Sequence, residues 1–548
     1  MLLLLPGLNS VLPPPKMSNL DISLVVSKET DPGCHVLQLV LSRHVRCYQK
    51  LFEVYYQASH VCIVPKVFAD MLLHSVLSIR DENCFCDLET GALSMLAKGI
   101  SAETSLEASY RTESVDISSY FFLFTGEKLR WEGLGIFCAL VASSAMLLSP
   151  TSKHLANSKE RDGLISDMVE ASSLCVELWR KSGSINDIAV MSIYQNFIVI
   201  SQHYGDKDYR TWRQLVELIG VVFEAGLHND KGDTRIPEYF LAMRRYLFAA
   251  AYSIDITLCT IFKRPPMISH RFCTICPPLG LSIEAFSHIS HIERESWIRL
   301  RFVISTFREK LLMETRDINE HRSINEVEGI IPEYSSKLDN LPDYIRCCND
   351  ALDGHADEHI YRIRLLLASI HLEYLSIKLQ ANHQLRRYNS MIRPAREMMT
   401  TVLGLDLPRR GGASLPRGYA SMVVLYGVPA ASILIYELKN ALSSNSTDHG
   451  NNDLSRGETI KSLAYFIARL DCVIRGKYED SEELWHVLDE LMINFDAAIE
   501  KLGTLGDDSC VSSRKPFQEN EHEGLAWAGS VFDLISSFVD LKDDIWRL

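Results

Sequence analysis

Apolar residues recur at three- and four-residue steps through almost the whole of this chain, and strand-like alternation is rare. That period places apolar side chains on one face of a helix. Residues 37–56 (LQLVLSRHVRCYQKLFEVYY), 66–79 (KVFADMLLHSVLSI) and 361–380 (YRIRLLLASIHLEYLSIKLQ) each carry it, separated by short polar loops. The pattern predicts an all-α fold, a large multi-helix domain with polar loop insertions. Residues 1–33 read as a flexible, proline-containing arm and 34–440 as the main helical domain. Residues 441–460, centred on SSNSTDHGNNDLSRGE, read as a flexible loop, and 461–548 as C-terminal helices of the same domain, built on one continuous core. Residues 422–442 (MVVLYGVPAASILIYELKNAL) read as a buried helix bent at Pro429. No internal repeat is visible.

The most distinctive stretch is residues 221–269, VVFEAGLHNDKGDTRIPEYFLAMRRYLFAAAYSIDITLCTIFKRPPMIS. Leu215, Leu218, Ile219, Val222 and Phe223 lie at helical spacing, and Gly226 follows the last periodic turn, where a left-handed cap commonly falls. The run from His228 to Asp233 is a loop by composition. Pro237 suits the first turn of a second helix, with Glu238 beside its positive end. Phe240, Leu247, Ala251, Ile254 and Leu258 supply that helix's core face. Arg244 and Asp255 share a face but stand about 16 Å apart along the axis, so each needs a partner on another element. Arg264-Pro265-Pro266 ends the helix, because Pro265 disfavours a helical residue before it. No nucleophile–base pair is present, and these residues read as caps, turns and anchors of a helical core.

Gly226-Leu227-His228, the Arg244-Arg245 pair, Asp255 and Arg264-Pro265 together resemble the signature of the regulatory middle homology domain of fungal zinc-binuclear-cluster transcription factors. A second block, residues 119–140, is similar to the opening of that domain through Thr125-Gly126-Glu127 and Leu129-Arg130-Trp131-Glu132. Residues 371–389 resemble a later family helix. Lys263 stands where the family usually has a glycine before Arg-Pro, Ala242 replaces a frequent acidic residue and Ala249 lies near a frequent tryptophan. The resemblance implies a nuclear regulator of RNA polymerase II transcription, a domain that restrains or licenses a DNA-reading head. It implies the transcriptional machinery or another transcription factor as partner, a small-molecule effector and a homodimer as further expectations. DNA would be reached only through a missing head or a partner, and zinc is expected only if a cluster precedes this chain.

Composition bears on those expectations. The formal net charge is −14, which opposes approach to a phosphate backbone, since such affinity rests on clustered Lys and Arg. A binuclear zinc cluster needs six thiolates in two tight groups, but the fourteen cysteines are scattered and only Cys273 and Cys276 have CxxC spacing. Cys138 and Cys259 sit in apolar runs and read as buried hydrophobes of a reduced compartment. His355 and His359, and His288 with His291, fall at ligand-like spacing but among acids that read as solvated helix starts. Phosphate-cradling and serine-elbow motifs do not occur, so the expectation is a protein that is not an enzyme and holds no cofactor of its own. The apolar stretch 133–148 is too short for a confident bilayer crossing, and no membrane partner is expected. The tail VFDLISSFVDLKDDIWRL mixes apolar and acidic residues, as a terminal packing helix or an activation segment would. The alternative from another class is a cytosolic helical enzyme or binder of a small apolar ligand, whose mark would be polar residues converging in a pocket.

Overall fold

The computed structural model describes residues 31–41, 46–59, 62–82, 90–108, 117–148, 158–182, 185–229, 238–275, 294–314, 327–333, 336, 358–405, 419–441, 452–477, 479 and 481–504. Of these, 87% are helical and none lies in a strand, so the fold is all-α. The periodicity of the sequence translates directly into elements. In chain order they are α1 (Pro32–Leu41), α2 (Arg46–Ala58), α3 (Lys66–Glu82), α4 (Thr90–Thr104) and α5 (Ile117–Phe121). Next come α6 (Trp131–Leu147), α7 (Ser158–Arg180), α8 (Asp187–Tyr204), α9 (Tyr209–Glu224), α10 (Glu238–Phe262) and α11 (Arg294–Glu314). The second half holds α12 (Glu358–Gln384), α13 (Asn389–Gly404), α14 (Tyr419–Met422), α15 (Val428–Ala441), α16 (Asn452–Lys477) and α17 (Glu482–Thr504).

Buried apolar side chains form two clusters where the sequence pattern suggests one. The first is built on α6, whose residues from Trp131 to Ala145 are all buried, and on α8, buried from Asp187 to Ser201. Helices α1, α2, α7 and α9 cover these two, and α10 closes the layer. The second cluster gathers α12, α13, α15, α16 and α17. Helix α11 belongs to both. Ile298 and Phe302 enter the first cluster, while Trp297, Leu300, Ile304, Phe307 and Leu311 enter the second. Helix α10 and the run Tyr419–Asn440 are long and apolar enough to cross a membrane by length and composition, yet both lie mostly buried in these cores.

Several boundaries shift from the sequence reading, each for a local reason. Residues 32 and 33 belong to α1, not to the arm, because Asp31 caps the helix: the Gly33 amide donates to its carboxylate at 3.1 Å. Residues 37–56 fall into two helices, α1 and α2, instead of one. Residues 452–460, placed in a loop by their polar composition, form the start of α16, where the first fully buried apolar side chain among the described ones is Leu463. A helix end without core contacts looks like a loop in composition. Near Pro429 the chain is π-helical over Val423–Gly427 instead of simply bent. Proline has no amide hydrogen and crowds the preceding turn, and the wider π turn accommodates it. The CxxC cysteine Cys276, the histidines His288, His291 and His355, the glycine-rich run 406–418 and the tail beyond 504 lie outside the described residues.

Candidate functional site

The motif around residue 226 is a helix end of defined geometry. At the end of α9 the Leu227 amide donates to Val222 O at 3.1 Å and the Gly226 amide to Phe223 O at 3.0 Å. Those two bonds are the Schellman arrangement, which places the residue after the cap in the left-handed region. Gly226 occupies it with φ 69°, and Leu227 and Val222 bury together as the accompanying apolar contact. The loop then binds the segment on the far side of α10. The His228 carbonyl accepts from the amides of Thr274 (3.0 Å) and Ile275 (3.2 Å), and its ring meets Phe223 edge-on at 5.2 Å. Its Nδ1 is buried without a partner among the described residues.

Arg244 reaches from α10 to two other elements. It pairs with Asp187, the first residue of α8, and donates to the Ala225 carbonyl at 2.6 Å, the cap of α9. It thereby satisfies a helix-end carbonyl and a buried carboxylate at once. Burial pushes Asp187 up to about 6 even though the Arg244 guanidinium pulls the other way. Arg245 is half-buried beside it. Asp255 is fully buried, and its Oδ2 accepts from the amides of Met267 (2.9 Å) and Ile268 (2.7 Å). Its Oδ1 accepts from the Cys259 thiol at 3.4 Å. Burial raises Asp255 to about 6 against those hydrogen bonds. Arg244 and Asp255 therefore each serve a different neighbour, as their separation along α10 requires. Helix α10 ends at Phe262; the next residue, Lys263, has a φ of 52° in the left-handed region, and the Arg264 amide donates back to Cys259 O at 3.0 Å. Arg264 stacks over Trp212 of α9 at 4.1 Å, and the Pro265 carbonyl lies 3.3 Å from the Cys259 sulfur, sharing its single thiol proton with Asp255.

The second block forms the entry to α6. Gly126, at φ 62°, donates its amide to Ser75 of α3 at 2.7 Å, and the Thr125 hydroxyl donates back to Phe121 O. Arg130 is buried, donating to Leu123 O at 2.9 Å and Leu106 O at 2.7 Å above the Phe124 ring. The Trp131 indole donates to the Ser101 hydroxyl and its backbone amide to the Thr104 hydroxyl, both at 3.0 Å. Glu132, wholly buried, accepts from Asn186 at 3.0 Å, and burial raises its pKa.

Asn186 and Asp187 join the two blocks. Asn186 caps α8 by accepting from the Ala189 amide at 2.9 Å while its amide group holds Glu132. The next residue, Asp187, holds Arg244. Glu132, Arg244 and the Gly226 turn, far apart in sequence, thus meet at the N-terminus of α8. The sequence pattern does not single out Asn186 or Asp187. The available signal is an Asn before an apolar helical run, the usual cap pattern, with nothing to show that it faces inward.

A second polar cluster lies between the cores. On α11, Arg301, Ser305 and Arg308 fall one and two turns apart and are all buried between two apolar stripes. Arg308 donates to Thr257 of α10 at 3.2 Å, lies 3.7 Å from the Glu373 carboxylate of α12, and donates to the Tyr426 hydroxyl on the π-helical turn. Glu309 faces elsewhere, accepting from Tyr252 at 2.6 Å and the His270 amide at 3.1 Å. Burial raises Glu373 against the attraction of Arg308 and Arg301. These residues escape sequence reading because a polar stripe on a helix ordinarily marks its solvent face. Among the described residues no group of three or more His, Cys, Asp or Glu side chains is placed to hold a metal.

Comparison with known proteins yields no match to a family model, to a curated protein or to a solved structure.

Proposed function

We propose that this chain is a regulatory module of RNA polymerase II transcription, of the kind found in fungal zinc-cluster factors, working in the nucleus through a DNA-reading head or a partner. The observation that carries the reading is the junction at the start of α8. Three of the features that carry the resemblance meet there through Asn186 and Asp187, Glu132 on one side and Arg244 with the Gly226 turn on the other. That residues of both blocks share one joint supports the reading. The second feature bearing on function is the buried polar seam between the cores, which favours response to a small ligand. In this reading the module itself is not a catalyst.

The test is a fusion. A heterologous zinc-cluster head is placed before residue 1, and output is read from a reporter carrying that head's site. The module should shift output relative to the head alone, and Arg244→Ala should abolish the shift. Output equal to the head alone would remove the regulatory reading. The ungrafted chain, net charge −14, should show no sequence-specific duplex binding at physiological salt.

A further inference from the structure

Helix α4 is apolar on two sides. Leu93, Ala97 and Ile100 turn inward, buried in the first core where α4 packs on α1, α6 and α7. On the opposite side Ala92, Met95, Gly99, Ala102 and Leu106 follow one another at steps of three and four, and all are exposed. Met95 is 77% exposed and Leu106 54%, so neither end of this row leans on the protein's own core. Arg130 holds the carbonyls of Leu106 and Leu123 together, which brings the turn carrying Phe122, 61% exposed, beside the end of α4. No charged side chain interrupts the row. A contiguous apolar strip on the surface marks a protein contact.

The charges of α4 choose the occupant. Its two charged side chains flank the row, Lys98 on the edge before Gly99 and Glu103 on the edge after Ala102. Neither forms a salt bridge among the described residues. When two such helices lie parallel across a two-fold axis, the leading edge of one row faces the trailing edge of the other, and a residue meets the one five positions further on in its partner. Lys98 and Glu103 have that separation, so two parallel copies form two Lys98–Glu103 contacts. Antiparallel pairing faces like edges and sets Lys98 beside Lys98. The small residues Gly99 and Ala102 let the two backbones approach, and Met95 and Leu106 close the ends.

We infer that α4 is the contact through which two copies of this chain pair, parallel and about a two-fold axis, with Lys98 of each copy on Glu103 of the other. Pairing of this kind is independent of the regulatory reading. The interface is isologous, so it closes at two copies. Helix α4 is about 22 Å long, which puts the contact at the low end for specific complexes and the pairing at micromolar concentration.

Sedimentation velocity of the full chain over about 1–100 µM tests this, and the mass should rise from one copy toward two. Ala102→Glu, which sets a charge in the row, should hold it at one copy. Lys98→Glu and Glu103→Lys should each weaken pairing about tenfold, since symmetry doubles every change, and the two together should restore it. Restoration is a result that a merely structural role would not give, and circular dichroism checks the fold of each variant. If Ala102→Glu fails to fold, the charge exchange at 98 and 103 still decides. A Cβ at Gly99 meets no neighbour, so Gly99→Cys is tolerated and should form a disulfide with its own copy, identified by peptide mass. A monomer throughout overturns the pairing and leaves the face to a different protein. Association that ignores Ala102→Glu overturns it too, by placing the contact elsewhere. A double charge exchange weaker than either single one, or no disulfide between the two copies of position 99, overturns the parallel arrangement.

Discussion

Arg244 and Asp187 are the residue pair on which the α8 junction turns. Asp187 is almost wholly buried, so removing its guanidinium partner leaves an uncompensated carboxylate and an unsatisfied Ala225 carbonyl. Arg244→Ala should lower unfolding free energy by about 3–5 kcal/mol, measured by urea denaturation. A loss below about 1 kcal/mol, the range of surface pairs, would show that the junction is not structural. Lys263 gives the opposite sign. It holds a left-handed conformation at the place where the resembled family has glycine, and such a conformation disfavours an L side chain by about 1 kcal/mol. Lys263→Gly should therefore stabilise the protein by roughly that amount, visible as a raised denaturation midpoint. Asp255 carries a pH signature. Its folded value of about 6 lies above the ordinary 3.8, so the folded state binds this proton more tightly than the unfolded chain. Stability from this group falls as pH rises from 3.8 to about 6, and the full penalty, on the order of 3 kcal/mol, is present above that. The stability of Asp255→Asn relative to the parent should rise across that window and then level off. A flat difference would show that the carboxyl titrates alike in both states.

Helix ends and one irregular turn set the elements. Among the described residues, two helices close with left-handed residues that are not glycine, Lys263 after α10 and Arg386 after α12, where the Arg387 amide donates to Asn382 O at 2.9 Å. The bonding pattern, not the residue type, defines these stops. The π-helical turn before Pro429 brings Gly427 against Phe466 of α16, so closely that any Cβ there forces the ring aside. Gly427→Ala should destabilise the second core by about 1–3 kcal/mol, the range for overpacking. Phe466→Leu in the same background should recover part of the loss, because the shorter side chain vacates that space. No recovery would place the strain in the backbone of the turn instead.

Across the whole molecule, two apolar cores share α11 and meet over a charged seam. Breaking one partner there should be costly, while replacing the pair with apolar groups should not. Arg308→Met alone is expected to lower stability by about 3–5 kcal/mol, and Arg308→Met with Glu373→Leu to recover most of it. Equal loss in the single and double variants would show that Thr257 and Tyr426, the other Arg308 partners, dominate the seam.

Helical class, the helices over 66–79, 212–225 and 361–380 and the capping role of Gly226 were legible in the sequence, because each depends on neighbours within a few positions. The partners required by Arg244 and Asp255 were legible as a need, since two residues three turns apart on one helix cannot meet. Their identity was not. Nothing local marks Asn186 and Asp187 as facing Glu132 and Arg244, or separates the buried stripe of Arg301, Ser305 and Arg308 from a solvent face. The start of α16 was hidden for the same reason, its polar first turns resembling a loop. The sequence by itself determined local periodicity, caps and breaks through short-range sterics and hydrogen bonding. Only the tertiary structure decided which polar faces turn inward and that the apolar ones divide into two cores, because burial is a property of which helices pack together and no helix carries that information alone.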